Sequence, residues 1–264
     1  MHRTPDQIWP LDTKHLGQRV GVFDHLESTN TYALELGADP SMTGNVFLAR
    51  SQSAGRGQYG RAWQAPPGSS VLMSVLLFPP PHLRRPALLT AWAAVSVCET
   101  IRQIANVQAT IKWPNDILIQ GQKICGILIE QRTTGNAEFP LASVVGIGLN
   151  VTQTAPMFEQ ADLPLATSLE IASGISFAFE DVAKTLIHRL DDAWHLLYNG
   201  DCTTLEALWK WRLGLLDKPV FVEGVTQTHH GKLLDATFAG LDLELDTGEI
   251  IRLQPESIRH LHPQ

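Results

Sequence analysis

Strands interleaved with helices along most of the 264-residue chain, giving way to short β runs alone, predict an α/β protein with a small all-β module at its C-terminus. Three observations carry this. Apolar positions recur at helical spacing in three long stretches, with strand-length apolar runs between them. From about Asp217 only short β-like runs remain, separated by turns such as Asp246-Thr247-Gly248. Hydrophobic residues make up 44% and charged residues 18%, globular values that exclude disorder as the main theme, and the length suffices for a full core plus a smaller module.

Residues 1–18 are polar, contain two prolines and carry neither period, which predicts an extension draped on the surface or partly disordered. It is too short for a helix-turn-helix module. Val20 to Leu26 alternates like a strand, and Ser28-Thr29-Asn30 offers capping side chains ahead of a helical pattern through Tyr32 to Leu36. Val46 to Ala49 is a second strand, feeding a glycine-rich loop. Ser70 to Phe78 reads as a buried strand, and Leu88 to Ala105 as a helix with Leu88, Ala91, Trp92, Val95, Cys98, Ile101 and Ile104 on one face. Ala109 to Trp113 and Ile117 to Ile119 are strand-like around a Pro-Asn-Asp interruption. A Gly-containing turn at residues 120–123 then predicts a hairpin into Ile124 to Glu130. Val144 to Val151 is another strand, and helices return at Phe179 to Tyr198 and Thr203 to Leu213. Beyond them, four or five short strands in under fifty residues predict a small barrel.

A formal net charge of −7 argues against a protein that coats DNA, a task requiring a broad cationic surface. Cys98, Cys125 and Cys202 are odd in number and widely spaced, so they predict neither a disulfide framework nor a zinc site, but small buried side chains in a reducing compartment. The N-terminus has no apolar signal-like stretch, and the longest apolar run, Val71 to Phe78, is too short to span a bilayer. The expectation is a soluble, cytoplasmic protein with no membrane partner.

Against that acidic background the cationic clusters require a reason. AGRGQYGRAW at Ala54 to Trp63 joins three glycines, which allow close backbone approach, to Arg56 and Arg61, which add charge and donors. That chemistry suits a phosphate or carboxylate. No Gly-Lys-Ser/Thr follows, so the loop is not a Walker A motif, and no helix opens on it as a dinucleotide fingerprint requires. In Lys112-Trp113-Pro114-Asn115-Asp116, an Asx turn explains Pro-Asn-Asp but gives no reason for Lys112. Lys123, at the start of the partner strand, could bring a second ammonium to the same anion. His229, His230, His260 and His262 lack carboxylate or thiolate companions and read as surface residues. Spacing alone leaves the class of reaction open.

Taken together, Glu27-Ser28-Thr29-Asn30, Gln52 with GRGQYGRAW, KWPNDI at Lys112 to Ile117, KICGILIE at Lys123 to Glu130 and GIGLNV at Gly146 to Val151 resemble the biotin–protein ligases, also called biotin–[acetyl-CoA-carboxylase] ligases, in order and spacing. The likeness covers about residues 20–216. It implies an α+β fold: a class II synthetase-like catalytic domain over residues 19–216, a mixed central sheet flanked by helices, followed by an SH3-like barrel over residues 217–264. The implied reaction forms biotinyl-5′-AMP from biotin and MgATP, then transfers biotin to a lysine of a biotin carboxyl carrier protein, usually that of acetyl-CoA carboxylase.

Residue by residue, the resemblance implies that Ser28, Thr29, Asn30 and Gln52 bind the ureido ring and its surroundings. Arg56, Gly57 and Gln58 would line the carboxylate and phosphate, Lys123 would contact the activated carboxylate, and Gly126 and Ile127 would flank the biotin tail. The nucleotide would meet Arg56, Gln58, Arg61, Trp63, Lys112 and Asn150, with Trp63 stacked on adenine. Arg56, Lys112 and Lys123 are the implied catalytic groups, and Asp116 the implied Mg2+ ligand. No covalent serine or cysteine intermediate is expected, and Cys125 is expected to pack. Many members carry arginine where this chain has Gln58, and glutamine loses that charge. Gln58→Arg is therefore expected to slow release of the adenylate in a single-turnover assay. With the chain beginning almost directly at the catalytic region, a ligase without repressor function or nucleic-acid partner is expected. Relatives can be monomers or dimerise through the sheet edge, so a homodimer is one expectation. The alternative activity is that of a lipoate–protein ligase or octanoyltransferase. A biotin-sensing regulator or idle binding protein is the alternative of another class.

Overall fold

The structure is a computed structural model and describes residues 3–264; the first two residues of the expected extension lie outside the described residues. The chain opens with strand β1 (Gln7–Trp9), β2 (Val20–Phe23), helix α1 (Thr29–Glu35), β3 (Val46–Ala49) and β4 (Ser70–Leu77). Next come α2 (Pro86–Ala105), β5 (Thr110–Lys112), β6 (Asp116–Ile119), β7 (Gln122–Thr133) and β8 (Leu141–Asn150). These eight strands form one sheet in the order β1-β2-β3-β4-β8-β7-β6-β5, antiparallel except for the parallel β2–β3 pair.

Both faces of the sheet are covered, which is why β4 is buried at all eight positions instead of alternating. On one face lie α2 and a later helix, α5, which follows two short helices, α3 (Ala155–Gln160) and α4 (Leu169–Ser173), and spans Phe179–Tyr198. Val71, Met73, Val75 and Leu77 of β4 join that core with Val145, Ile147 and Leu149 of β8. The opposite face packs under α1, with Phe23, Phe47, Leu76 and Val144 in a second cluster. Ser28 caps α1 by accepting from the Thr31 amide, as its position before the helical pattern predicts.

Helix α6 (Thr203–Leu213) leads into β9 (Pro219–Gly224), β10 (Thr228–Thr237), β11 (Gly240–Leu245), β12 (Ile250–Leu253) and β13 (Ile258–Pro263). These strands form a barrel-like antiparallel sheet ordered β12-β11-β10-β9-β13. It docks on the larger unit through an aromatic row: the Trp113 and Trp209 rings are 5.8 Å apart, and those of Trp209 and Phe238 5.4 Å. The Trp113 indole also donates to the Ile258 carbonyl at 3.4 Å.

Three expectations are corrected. Within the expected extension, residues 7–9 form an edge strand paired with β2, and the amides of Lys14, His15 and Leu16 donate to the buried Asp191 carboxylate at 2.7–2.8 Å. The partner carboxylate is about 175 residues away in sequence, so nothing local announces this order. Helices α3 and α4 sit where the sequence suggests no element, each little more than one turn long and too short to show a period. His260 and His262, read as surface residues, are half-buried in β13, which closes the small sheet on β9.

Candidate functional site

Because successive side chains of a strand point to opposite faces, strand register decides what one face of the sheet presents. Asp116 pairs with Gly126, Gly126 with Gly148, and Gly148 with Leu72, a row running across four strands. Two adjacent glycines leave the middle of that row without side chains. A Cβ at Gly148 would lie 2.5 Å from Trp63 Cε2, and one at Gly126 2.8 Å from Trp63 Cζ3. The indole of Trp63 therefore rests on bare backbone. Its Nε1–H is buried against Gly148 and has no hydrogen-bond partner among the described residues. Above this floor is a cavity of about 360 Å³.

One end of the cavity is neutral and polar. The N-terminus of α1 places Ser28, Thr29 and Asn30 there, all buried. The Thr29 amide and hydroxyl both donate to Gln52 Oε1, at 2.7 and 3.1 Å. Ser74, from the neighbouring row of β4, bridges Thr29 Oγ1 at 2.8 Å and Asn30 Oδ1 at 2.6 Å. A methyl at Gly146 would collide with Asn30 Oδ1, so the glycine next along β8 is what admits this amide. Asn30 Nδ2 donates to Glu130 Oε2 at 2.8 Å.

The other end, around Asp116, is cationic, and Arg56 reaches back from the loop toward Asn30. Arg56, Arg61, Lys112 and Lys123 border the cavity against a single lining carboxylate, Asp116. Lys123 Nζ lies 2.6 Å from Asp116 Oδ1 and 5.6 Å from the centroid of a Trp63 ring. Lys112 is the cross-strand partner of Asp116, so the two lysines flank one carboxylate from β5 and β7. The glycine-rich loop is a short hairpin: the Gly57 amide donates to the Arg61 carbonyl at 2.7 Å and the Trp63 amide to that of Gly55 at 2.9 Å. Gln58 opens the tight turn at its tip, where exposed Tyr59 takes a left-handed φ of 56°.

Every residue that the resemblance assigns a role in binding or catalysis borders this one cavity, Gly57, Gln58 and Asn150 included. Two of them contribute otherwise than through a free side chain. Ile127 buries its side chain in the core on the far face and offers the cavity backbone only; its amide and carbonyl are both tied to Asn115. Asn150 is buried with Oδ1 accepting from Gln153 Nε2 and Nδ2 donating to the Thr167 carbonyl, which fastens the segment before α4 beside the site. Cys125 packs in the same core, and burial pushes its thiol well above its ordinary value, the environment of a packing residue.

Sequence reasoning missed Ser74, Glu130 and His260. Glu130 ends a quoted motif without a role, and Ser74 reads only as part of a buried strand. His260 reaches the cavity from the barrel-like unit. Its neighbour His262 titrates below the usual histidine range because of burial, the Lys112 charge and His260.

Comparison with known proteins adds four findings. The family model described as the biotin/lipoate A/B protein ligase family matches residues 22–150. Over 253 residues the chain is 31% identical to the bifunctional ligase/repressor BirA of Bacillus subtilis, covering 96% of this chain and 74% of that protein. Over 232 residues it is 29% identical to the biotin–[acetyl-CoA-carboxylase] ligase of Paracoccus denitrificans, covering 87% and 92%. A biotin protein ligase from Aquifex aeolicus, solved in complex with biotin and ATP, superposes with a TM-score of 0.76 at 23% identity over 93% of this chain and 99% of that one, a likeness of fold.

Proposed function

The chain belongs to the biotin/lipoate A/B protein ligase family as a biotin–protein ligase, and we propose that it works in two steps within the cavity above Gly126 and Gly148. In the first, the biotin carboxylate attacks the α-phosphorus of ATP, expelling pyrophosphate and forming biotinyl-5′-AMP. In the second, the amine of a carrier-protein lysine attacks the mixed anhydride and AMP leaves. The observation that carries this reading is the make-up of one cavity: neutral, mutually hydrogen-bonded groups at one end, Lys112 and Lys123 around Asp116 at the other, and Arg56 reaching back toward Asn30 through Glu130.

A ureido ring is neutral, planar and rigid, and Ser28, Thr29, Asn30 and Gln52 offer it fixed neutral donors and acceptors. Attack on phosphorus gathers negative charge between carboxylate and phosphate, which Arg56, Lys123 and Lys112 stabilise from preset positions. Trp63 offers adenine a face to stack on, and Gly57, Gln58 and Arg61 close the hairpin loop over the phosphate and exclude water. The carrier domain of acetyl-CoA carboxylase is the proposed acceptor. The net charge of −7 disfavours a nucleic-acid partner.

Mg2+ would enter with the nucleotide. Among the described residues no group of three His, Cys, Asp or Glu side chains could hold a metal alone. A magnesium carried by phosphates and water needs only one or two carboxylates, and Asp116 supplies one at the cationic end. The ion would neutralise phosphate charge there.

The test is to supply biotin and MgATP without acceptor, follow pyrophosphate release and trapped adenylate, then add a carrier domain. Adenylate formation followed by transfer is the expected result. Release with lipoate or octanoate in place of biotin would move the chain to the neighbouring activity of the same family, and biotin binding without release would leave a binding protein.

A further inference from the structure

Arg56 is not free in this structure. Its Nη2 lies 2.9 Å from Glu130 Oε2, joining the hairpin loop to β7. The same oxygen accepts from Asn30 Nδ2 at 2.8 Å, so one carboxylate atom holds a loop cation and a buried amide at once. From Asn30 the chain of hydrogen bonds continues through Ser74 to Thr29 and Gln52. A part-exposed ion pair contributes little to stability, about 0.2–1 kcal/mol. Its weight here lies in connectivity: the neutral end of the cavity, through Asn30, and the loop cation share one anchor.

Resting on the adenylation reading above, we infer that Glu130 is a positioning residue for Arg56. It docks the guanidinium, and with it the hairpin of residues 55–63, in register with the side chains that receive the ring of the substrate. A guanidinium carries five donors, so pairing one edge with Glu130 leaves others to face the carboxylate and phosphate. Glu130 borders the cavity on neither the floor nor the lining, and acts through Arg56 and Asn30.

The test uses the full chain. Glu130→Gln is isosteric and keeps an acceptor for Asn30 while removing the charge that holds Arg56. In the free protein, trypsin is expected to cut after Arg56 and Arg61 several-fold faster in this variant, because the hairpin loses its tether. With biotin and MgATP, the single-turnover rate of adenylate formation is expected to fall about tenfold or more through misplacement of the guanidinium. Equilibrium dialysis is expected to leave biotin affinity within about twofold, since Asn30 remains satisfied. In an Arg56→Ala background, Glu130→Gln is expected to cause no further loss of rate. Unchanged proteolysis in the single variant, or an equal loss of rate in the Arg56→Ala background, would overturn the inference. If the parent chain forms no adenylate, the adenylation reading has failed, and the proteolysis comparison still decides whether Glu130 tethers the loop.

Discussion

At position 148 one methyl group decides whether the cavity has a floor. Alanine there would press its Cβ to 2.5 Å from the Trp63 indole, which must then move. Gly148→Ala is expected to cost about 1–3 kcal/mol of biotin binding, the scale of an overpacked site, with little change in the melting temperature. Equilibrium dialysis beside a thermal melt checks both halves. Cys125 makes the opposite case: in a sequence motif, yet packed on the far face with its thiol held protonated by burial. Cys125→Ala is expected to keep adenylate formation near the parental rate and to cost about 1 kcal/mol by urea denaturation. Single residues were legible where chemistry is unusual for its setting. Lys112 and Lys123 stood out because a strand gives no reason for an ammonium, whereas Glu130 did not, because its partners Asn30 and Arg56 lie 100 and 74 residues away.

Strands and helices were legible wherever they are long enough to repeat a pattern. Helix α5 and strand β4 fall within a residue of expectation; α3 and α4, at six and five residues, fall below the length at which a helical period can be seen. Contacts between elements were not legible. Arg212 of α6 is almost fully buried and reaches Glu99 of α2 at 2.6 Å, with Gln108 and the Ala109 carbonyl as further acceptors. Burial raises the Glu99 pKa, but hydrogen bonds and charges from Arg212 and Arg102 outweigh it and hold the carboxyl below its ordinary value. A carboxyl depressed in the folded state contributes stability that is present above its unfolded pKa and lost as pH falls through the folded value. Unfolding free energy is therefore expected to drop in the acid range below the ordinary glutamate pKa, and Glu99→Gln to flatten that slope. At neutral pH the same variant is expected to destabilise by about 3 kcal/mol, because it leaves a buried guanidinium without its counter-charge. Urea melts across pH 3–7 read both effects.

The barrel-like unit is joined to the larger one by packing as much as by sequence. The Trp113, Trp209 and Phe238 rings run continuously from the KWPND corner through α6 into the smaller sheet, and Lys210 of α6 pairs with Asp235 of β10 at 2.7 Å. Trp209→Ala is expected to cost about 3 kcal/mol or more and, by loosening the corner that carries Lys112, to lower the adenylation rate more than biotin affinity. Calorimetry with single-turnover kinetics checks the pair. That the chain holds two structural textures was written in its hydrophobic pattern; that the second unit lends His260 to the cavity of the first was not, since no local period encodes a docking geometry. The seating of Trp63 has an optical consequence. An indole resting on bare backbone with a lysine ammonium nearby will change emission when a ligand covers its open face, displaces the ammonium or lifts the ring, so the difference spectrum between the parent and Trp63→Phe is a built-in gauge of occupancy.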